Sequence, residues 1–582
     1  MPQLTGGEAI VRMLQLHGLE YAFGMAGFQP LPYYDALARQ GKIRHVLMRD
    51  EKHGAFMADG FARIRNRPAV ADATLGPGAT NLISGVAESF GASIPLIALT
   101  GEVNSLIAGR AATQESDQAG MFRPTVKLQI RLDRIERIPE LVRRAYAVAN
   151  GGRPGPVHLN VPEEVMHGRH DFAEGDLYAD PDACAVGGRR VRPAADLVER
   201  AAALLRAARR PVMIAGGGVH LSEAWGEVSR LVELAGVPVA TTMSGKGALD
   251  ERHPLSLGVF GRYSRTANDA IKAADLLLVV GCKLGEIATS RWTVIPSMAR
   301  IVHVDVDPTE LGKVYRTEIG LWGDAKLTLA DLAEAMRSEA AALRERMAGQ
   351  RAAVVAAKRA WLEEAMTKYT SDERPIHQAR LLWDLRAALP DDGILVADGG
   401  FAAHWSGLFY DAHAGSRTYI ANRGHAAIGY GLSGAIGAKL AAPSRPVVAL
   451  CGDNGFAMAV AELETSRRIG APVVAVVVNN NTLGYVKALQ HSLYADRFLS
   501  VDFLDTDYGA VGRAFGCRGY RVSDPADLRS TLVEAIAAGE TAVVDVLVTT
   551  NPSEMLPGVD ARVSASASAA PTRPVKALNF AQ

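Results

Sequence analysis

The chain reads as an α/β protein built of three doubly wound parallel sheets followed by a flexible C-terminal tail. Three observations predict this. Short apolar runs of strand length alternate with helix-length stretches along most of the sequence. Clusters of Gly, Asp and Asn stand where the apolar runs stop, as in turns leading from a strand into a helix. A length of 582 residues exceeds what one hydrophobic core supports, and three domains suit it.

The first unit is placed at 1–167. Gly6–His17 reads as a helix, Val46–Met48, Ala69–Ala73 and Leu96–Thr100 as strands, Ala55–Ile64 and Leu141–Ala149 as helices. The polar, Gly- and Pro-rich stretch Gly168–Val191 reads as a linker. The second unit, 190–348, has a helix at Ala194–Arg206, strands at Val212–Ala215, Leu276–Val280 and Ile301–Val306, and a closing helix. Ala330–Lys368 is rich in Ala, Glu and Arg and reads as a helical connector. The third unit, 375–548, contains strands at Val447–Leu450 and Val473–Val478. The tail, 549–582, loses periodicity. Its Val563–Thr572 run is low in complexity, and Arg573 and Lys576 follow.

Composition narrows the function classes. Apolar residues make up 48% and charged residues 22%, and Lys plus Arg balance Asp plus Glu at 63 each. No global field therefore draws nucleic acid or an anionic membrane. No signal peptide is expected from the N-terminal residues, and no apolar run is long enough to span a bilayer. Cys184, Cys282, Cys451 and Cys517 are scattered without CxxC spacing, which suits reduced thiols and a cytoplasmic location.

The chemistry-bearing residues sit at the ends of predicted strands, where parallel α/β sheets bind ligands. Val447–Leu450 leads into Gly452-Asp453-Asn454-Gly455, and Val473–Val478 into Asn479-Asn480-Asn481-Thr482. Asp453 and Asn480 offer a carboxylate and a carboxamide oxygen, hard donors suited to Mg²⁺ that also carries phosphate. The glycines permit close backbone approach to a diphosphate. Earlier in the chain, Glu51 follows Val46–Met48 and opens a helix. Beyond it, Thr74-Leu75-Gly76-Pro77-Gly78-Ala79-Thr80-Asn81 is another strand-to-helix turn. Read singly, each has a plain structural explanation: a left-handed turn at Gly452–Gly455, and a helix-dipole partner at Glu51.

Taken together these segments resemble the GDG…NN family of thiamine diphosphate (ThDP) enzymes. The resemblance is closest to the acetohydroxyacid synthase, benzaldehyde lyase and oxalyl-CoA decarboxylase branch. It covers nearly the whole chain, through Glu20–Gly27, Arg153–Pro162, Arg210–Gly218, Ile301–Pro308 and Ala426–Lys439 as well. Asn454 departs from the family's usual Gly. The resemblance implies pyrimidine-binding, central and diphosphate-binding domains in that order. It also implies ThDP and Mg²⁺ as cofactors, and a homodimer or homotetramer with the cofactor between the first domain of one subunit and the third of another. It further implies residue roles. Glu51 would meet N1′ of the aminopyrimidine, and Gly78, Asn81, Gly400, Gly452, Asp453, Asn454, Gly455, Asn480 and Tyr485 would bind the cofactor. The Ala426 carbonyl would accept from the 4′-amino group, and Ile428 would wedge the two rings. Asp453, Asn480 and Thr482 would ligate the metal, and Gln29, Gln114 and His425 would face the substrate.

Departures temper the match to a true acetohydroxyacid synthase. Tyr485 and Leu489 stand where those enzymes have Met and Trp, and Glu163 where they have Lys. In the central domain Lys283 replaces the flavin-type Arg, so FAD, ADP or no nucleotide all remain open there. The expected activity is ThDP-dependent cleavage or formation of a C–C bond next to a carbonyl, by a 2-oxo acid decarboxylase or carboligase. The alternatives are a 2-hydroxyacyl-CoA lyase or oxalyl-CoA decarboxylase whose tail closes over CoA, and a non-catalytic regulatory subunit of the same fold.

Overall fold

The structure, a computed structural model, describes residues 3–558. The expected roles of the tail and of Arg573 and Lys576 therefore lie outside the described residues.

Three six-stranded sheets organise the described chain, and every strand pair within them is parallel. The first contains β1 (Tyr21–Met25), β2 (Arg44–Leu47), β3 (Ala69–Ala73), β4 (Leu96–Glu102), β5 (Leu128–Arg131) and β6 (Pro156–Pro162). The second contains β7 (Pro211–Ala215), β8 (Val239–Thr241), β9 (Ser256–Val259), β10 (Leu276–Val280), β11 (Arg300–Asp305) and β12 (Ile319–Trp322). The third contains β13 (Ile394–Ala397), β14 (Tyr419–Ala421), β15 (Val447–Gly452), β16 (Val474–Asn479), β17 (Arg518–Val522) and β18 (Ala542–Leu547).

The first sheet runs β2-β1-β3-β4-β6-β5 and the third β14-β13-β15-β16-β18-β17, which is the same permutation. The second runs β9-β8-β7-β10-β11-β12, the order of a dinucleotide-binding sheet. The central strands are buried along their length and read as continuous apolar runs, as sheets covered on both faces require. The stretch expected to be only a linker contributes one small addition. Arg169–Asp171 pairs antiparallel with Gln3–Thr5.

Two helices set the first and third sheets against each other. The first, α1 (Glu51–Arg65), starts at an Asp50 N-cap whose side chain accepts from Lys52 N. It packs on α2 (Pro77–Ala92) and on the helix that opens the third domain's Gly-rich segment, α3 (Tyr430–Ala441). Glycines make the α1–α3 approach possible. A Cβ at Gly60 would lie 2.2 Å from the Gly434 carbonyl oxygen, and one at Gly437 would lie 1.9 Å from that of Met57. One apolar cluster consequently runs from Phe23, Phe56 and Phe61 through Tyr430 and Ile436 to Val447 and Phe456.

Candidate active site

The residues singled out in the sequence fall at corresponding places in the first and third sheets. In each they follow the first four strands in chain order, around the point where the strand order reverses. Gln29 follows β1, Glu51 follows β2, Gly78 and Asn81 follow β3, and Gln114 follows β4. Gly400 follows β13, while His425, Ala426 and Ile428 follow β14. Gly452 ends β15, with Asp453, Asn454 and Gly455 next, and Asn480, Thr482 and Tyr485 follow β16.

On the first sheet, Glu51 is buried at the start of α1 and accepts from Asn81 Nδ2 at 3.0 Å through its Oε2. Gly78 keeps the space beside this carboxylate open, since a Cβ there would come within 3.3 Å of Glu51 Oε1. Gln29 is tied to the same turn, accepting from Thr74 Oγ1 at 2.8 Å. Gln114 lies over Gly76, where a Cβ would meet its carbonyl oxygen at 2.5 Å. These residues form one cluster.

On the third sheet, Asp453 is buried and its carboxylate is held by main-chain amides. Oδ1 accepts from Asn454 N at 2.7 Å, and Oδ2 accepts from Asn480 N at 3.2 Å and Thr482 N at 3.3 Å. Burial pushes its pKa up and the amides oppose the rise. Asn480 Nδ2 is buried without a partner. The Thr482 hydroxyl is engaged with the Val501 carbonyl at 2.8 Å, so the oxygen that residue can turn to a cation is its carbonyl, which also accepts from Gly484 N. Among the described residues no three His, Cys, Asp or Glu side chains converge on one point. A cation held here would rest on one carboxylate supplemented by neutral oxygens, a set that suits Mg²⁺ with phosphate and water completing its shell.

Other residues of this half set the backbone. Gly400 adopts φ +66° and ψ −121°, closed to other residues, and Gly76 does the same in the first sheet with φ +67° and ψ −116°. Asp398, at the end of β13, is fully buried and accepts from the amides of Gly399, Gly429, Tyr430 and Gly431. Burial pushes its pKa up to about 6 against the pull of those four amides. Tyr485 turns to the second domain, where its hydroxyl accepts from Arg262 at 3.1 Å, while its ring meets His404 edge-to-face in its own domain. His425 is exposed, with its amide rather than its ring engaged. Sequence reasoning missed Asp398 and Glu88. The available signal was an acid inside an otherwise apolar stretch, as in Leu82–Gly91 around Glu88.

The arrangement fits ThDP and Mg²⁺. At Gly452 an added Cβ would meet no protein atom within 4 Å, so the open face beside Asp453 is not required by packing. The buried, unpartnered Asn480 Nδ2 marks a polar side chain that the protein alone does not satisfy, and its amide oxygen is of the type a cation takes.

Comparisons with known proteins agree. The chain matches the thiamine pyrophosphate enzyme N-terminal TPP binding domain over residues 4–121, the central domain over 198–332 and the C-terminal TPP binding domain over 398–546. It is 35% identical to the probable acetolactate synthase large subunit of Methanocaldococcus jannaschii, over 96% of this chain and 93% of that protein. Acetolactate synthase large subunits of Parasynechococcus marenigrum and Corynebacterium glutamicum are 32% and 31% identical, over 93% and 97% of this chain and 87% and 90% of theirs. With likeness at this level along nearly its whole length, the chain belongs to the acetolactate-synthase-like superfamily of thiamine-diphosphate-dependent enzymes.

Proposed function

We propose that this enzyme is a ThDP- and Mg²⁺-dependent 2-oxo acid decarboxylase and carboligase of the acetolactate synthase type. The observation that carries the reading is the Asp453 carboxylate fixed by the amides of Asn454, Asn480 and Thr482 beside an orphaned Asn480 amide. Such a preset donor group costs no reorganisation when a cation and a diphosphate arrive.

ThDP, when bound, supplies a carbon nucleophile and an electron sink for the bond next to the substrate carbonyl. The protein's share is placement and proton control. Asp453 and Asn480 hold the metal, with the Thr482 carbonyl, while Gly452, Asn454 and Gly455 leave room for the diphosphate. Glu51, steadied by Asn81, shares a proton with N1′ of the aminopyrimidine. The Ala426 carbonyl accepts from the 4′-amino group, Ile428 and Gly400 shape the ring site, and Gly78 keeps the Glu51 carboxylate accessible. Gln29, Gln114, His425 and Tyr485 border the substrate space.

We assign the divisions 1–167, 190–348 and 375–548 to the three domains. A second copy of the chain completes the site. Exposed apolar side chains follow the same strands as the site residues in both domains, Phe28 and Leu106 (80% exposed) in the first and Leu499, Phe503 and Leu504 (89% exposed) in the third. Exposed apolar side chains in these segments suit a subunit interface.

The second domain carries a cleft of about 410 Å³ lined by Gly216–Gly218, Arg153, Lys283, Asp305 and Arg423. Lys283 donates to the Gly91 carbonyl at 2.7 Å, and Arg423 Nε and Nη1 are buried without partners. Acids line the cleft as well, Asp305 and Glu310 among them, so the unpartnered Arg423 nitrogens are what suits a phosphate of FAD or ADP. Flavin absorbance and nucleotide release from the purified protein distinguish the two. Among the described residues no helix is long and apolar enough to cross a membrane.

The test is a screen of 2-oxo acids with ThDP and Mg²⁺, read by CO₂ release and by the ligated 2-hydroxy-2-methyl-3-oxo acid product. The account expects both, abolished by omitting ThDP. Turnover confined to acyl-CoA substrates would overturn it.

A further inference from the structure

The segment that carries Ala426 and Ile428 is held by two buried carboxylates, one on either side. Asp398 takes the amides of Gly429, Tyr430 and Gly431 on one side. On the other, Glu88 takes three consecutive amides. Its Oε1 accepts from Gly424 N at 2.9 Å, and its Oε2 from His425 N at 2.6 Å and Ala426 N at 3.0 Å. Between the two grips only Ala427 and Ile428 lack such an anchor through their amides, and the Ala427 carbonyl accepts from Asn422 Nδ2.

Glu88 does not belong to the third domain. It lies on α2, the helix whose first turn supplies Gly78 and Asn81 to the Glu51 cluster. It is fully buried, and Arg63 of α1 balances its charge at 3.0 Å while also pairing with Asp59. Ser89 and Tyr430 complete the group by donating to Asp59. The contact is made at backbone range. A Cβ at Gly424 would lie 2.0 Å from the Glu88 carbonyl oxygen, and one at Gly91 would lie 2.5 Å from that of Gly424.

The geometry needs such a grip. Ala426 has φ +58°, a left-handed conformation unfavourable for a residue with a side chain and kept only where the surroundings enforce it. Three successive amides turned to one side form a concave anion site, and the Glu88 carboxylate fills it. A carboxylate accepting several amides and a guanidinium is satisfied despite burial, so it holds the loop firmly.

We propose that Glu88 is a positioning residue that fixes the Ala426 carbonyl and Ile428 for the aminopyrimidine, reaching across from the first domain to the third. This rests on the reading of Ala426 and Ile428 as cofactor-facing residues. Glu88 touches no reacting atom. It acts through the backbone of 424–426, where a displacement on the order of 1 Å can cost about 10²-fold in rate.

Glu88→Gln tests this. One oxygen that accepts from an amide becomes an NH₂ that cannot, with the shape preserved. In the cofactor-free protein the amides of Gly424, His425 and Ala426 should exchange with solvent at least about tenfold faster. ThDP affinity should fall several-fold, and kcat should fall about 10- to 100-fold while KM for the 2-oxo acid changes less than about threefold. A purely structural role would lower the unfolding temperature yet leave kcat and ThDP affinity of the folded protein within about twofold of the parent, and that result overturns the proposal. Should Glu88→Gln not fold, Glu88→Asp, which keeps the charge opposite Arg63 but is one methylene short, is judged by the same thresholds. Glu51→Gln is measured alongside. If it is inactive while Glu88→Gln is normal, only the positioning role is rejected. If it is active, the cofactor reading itself fails.

Discussion

The first and third sheets share one strand order and differ in what they set at the same strand ends. After its second strand the first sheet places Glu51, a carboxylate bonded to Asn81, while the third places Ala426 and Ile428, a carbonyl and an apolar side chain. After its third strand the first sheet opens α2 with Gly76 and Gly78, while the third sets Asp453 in a ring of amides. Gly76 and Gly400 share one backbone conformation, although Gly76 follows the third strand of the first sheet and Gly400 the first strand of the third. The topology supplies positions and the strand-end residues supply functions. On the proposed reading one half would manage a proton and the other a metal and a diphosphate.

The largest effect expected from this division is on Glu51. Glu51→Gln should lower kcat by about 10²–10⁴, the range for loss of a general acid–base group. Steady-state turnover at saturating ThDP checks it, and near-normal kcat would break the assignment of the proton to the first sheet.

Gly452 and Gly455, three residues apart at the end of β15, sharpen the metal half. Gly455→Ala should destabilise the fold by about 1–3 kcal/mol, because its Cβ would fall 2.1 Å from Asp398 Oδ2 in a packed core. Gly452→Ala should change stability by less than about 0.5 kcal/mol, since no protein atom lies within 4 Å, yet weaken ThDP binding. Denaturant unfolding and cofactor titration of both variants separate packing from ligand space. Equal destabilisation by the two would contradict the open face at Gly452.

The same two sheets should respond to acid with opposite sign. His158 on β6 is buried against Thr100 and Phe122, and burial pushes its pKa from 6.5 down to about 3. The unfolded chain takes up a proton that the native histidine refuses, so this group costs stability as pH falls from about 6.5 towards 3, by about 2 kcal/mol at pH 5. Asp545 on β18, the equivalent strand, is pushed up to about 6 from 3.8 by burial. It keeps its proton in the native state where the unfolded chain has lost it, so its contribution to stability grows as pH falls from about 6 to 3.8. Hydrogen exchange at β6 and β18 between pH 7 and 5, corrected for intrinsic rates, reads the two separately. His158→Gln and Asp545→Asn should each flatten the response of their own strand.

The smallest of the four effects belongs to Asn81. Asn81→Ala removes one hydrogen bond to the Glu51 carboxylate and should reduce kcat by about tenfold, well short of the Glu51 loss. A loss as large as that of Glu51→Gln would move Asn81 from support to a direct part.

Much of the fold was legible because buried parallel strands announce themselves as apolar runs. Leu276–Val280 and Ala69–Ala73 are strands with the expected bounds, β15 runs two residues past the expected Leu450 to Gly452, and β16 is shifted by one residue at each end, from the expected Val473–Val478 to Val474–Asn479. The pairing of Gln3–Thr5 with Arg169–Asp171 was not legible, because it joins segments far apart whose local patterns are weak. Asp453 and Asn480 could be singled out because their type and spacing carry a ligand chemistry, whereas the expectation for Glu51 came from the family resemblance. Glu88 and Asp398 could not be singled out, since their role lies in which main-chain amides surround them, and a sequence does not display that. Tyr485 shows the same limit. Its place after β16 was readable, but its turn towards Arg262 depends on how the second domain docks.

The central claim is that cofactor binding belongs to the third sheet and proton control to the first. Calorimetric titration of ThDP with Mg²⁺ into the parent, Glu51→Gln and Asp453→Ala tests it most directly. The account predicts that Glu51→Gln binds within about threefold of the parent while Asp453→Ala loses at least about tenfold in affinity, partly recovered by excess Mg²⁺. Unchanged affinity in Asp453→Ala, or a loss confined to Glu51→Gln, would contradict it.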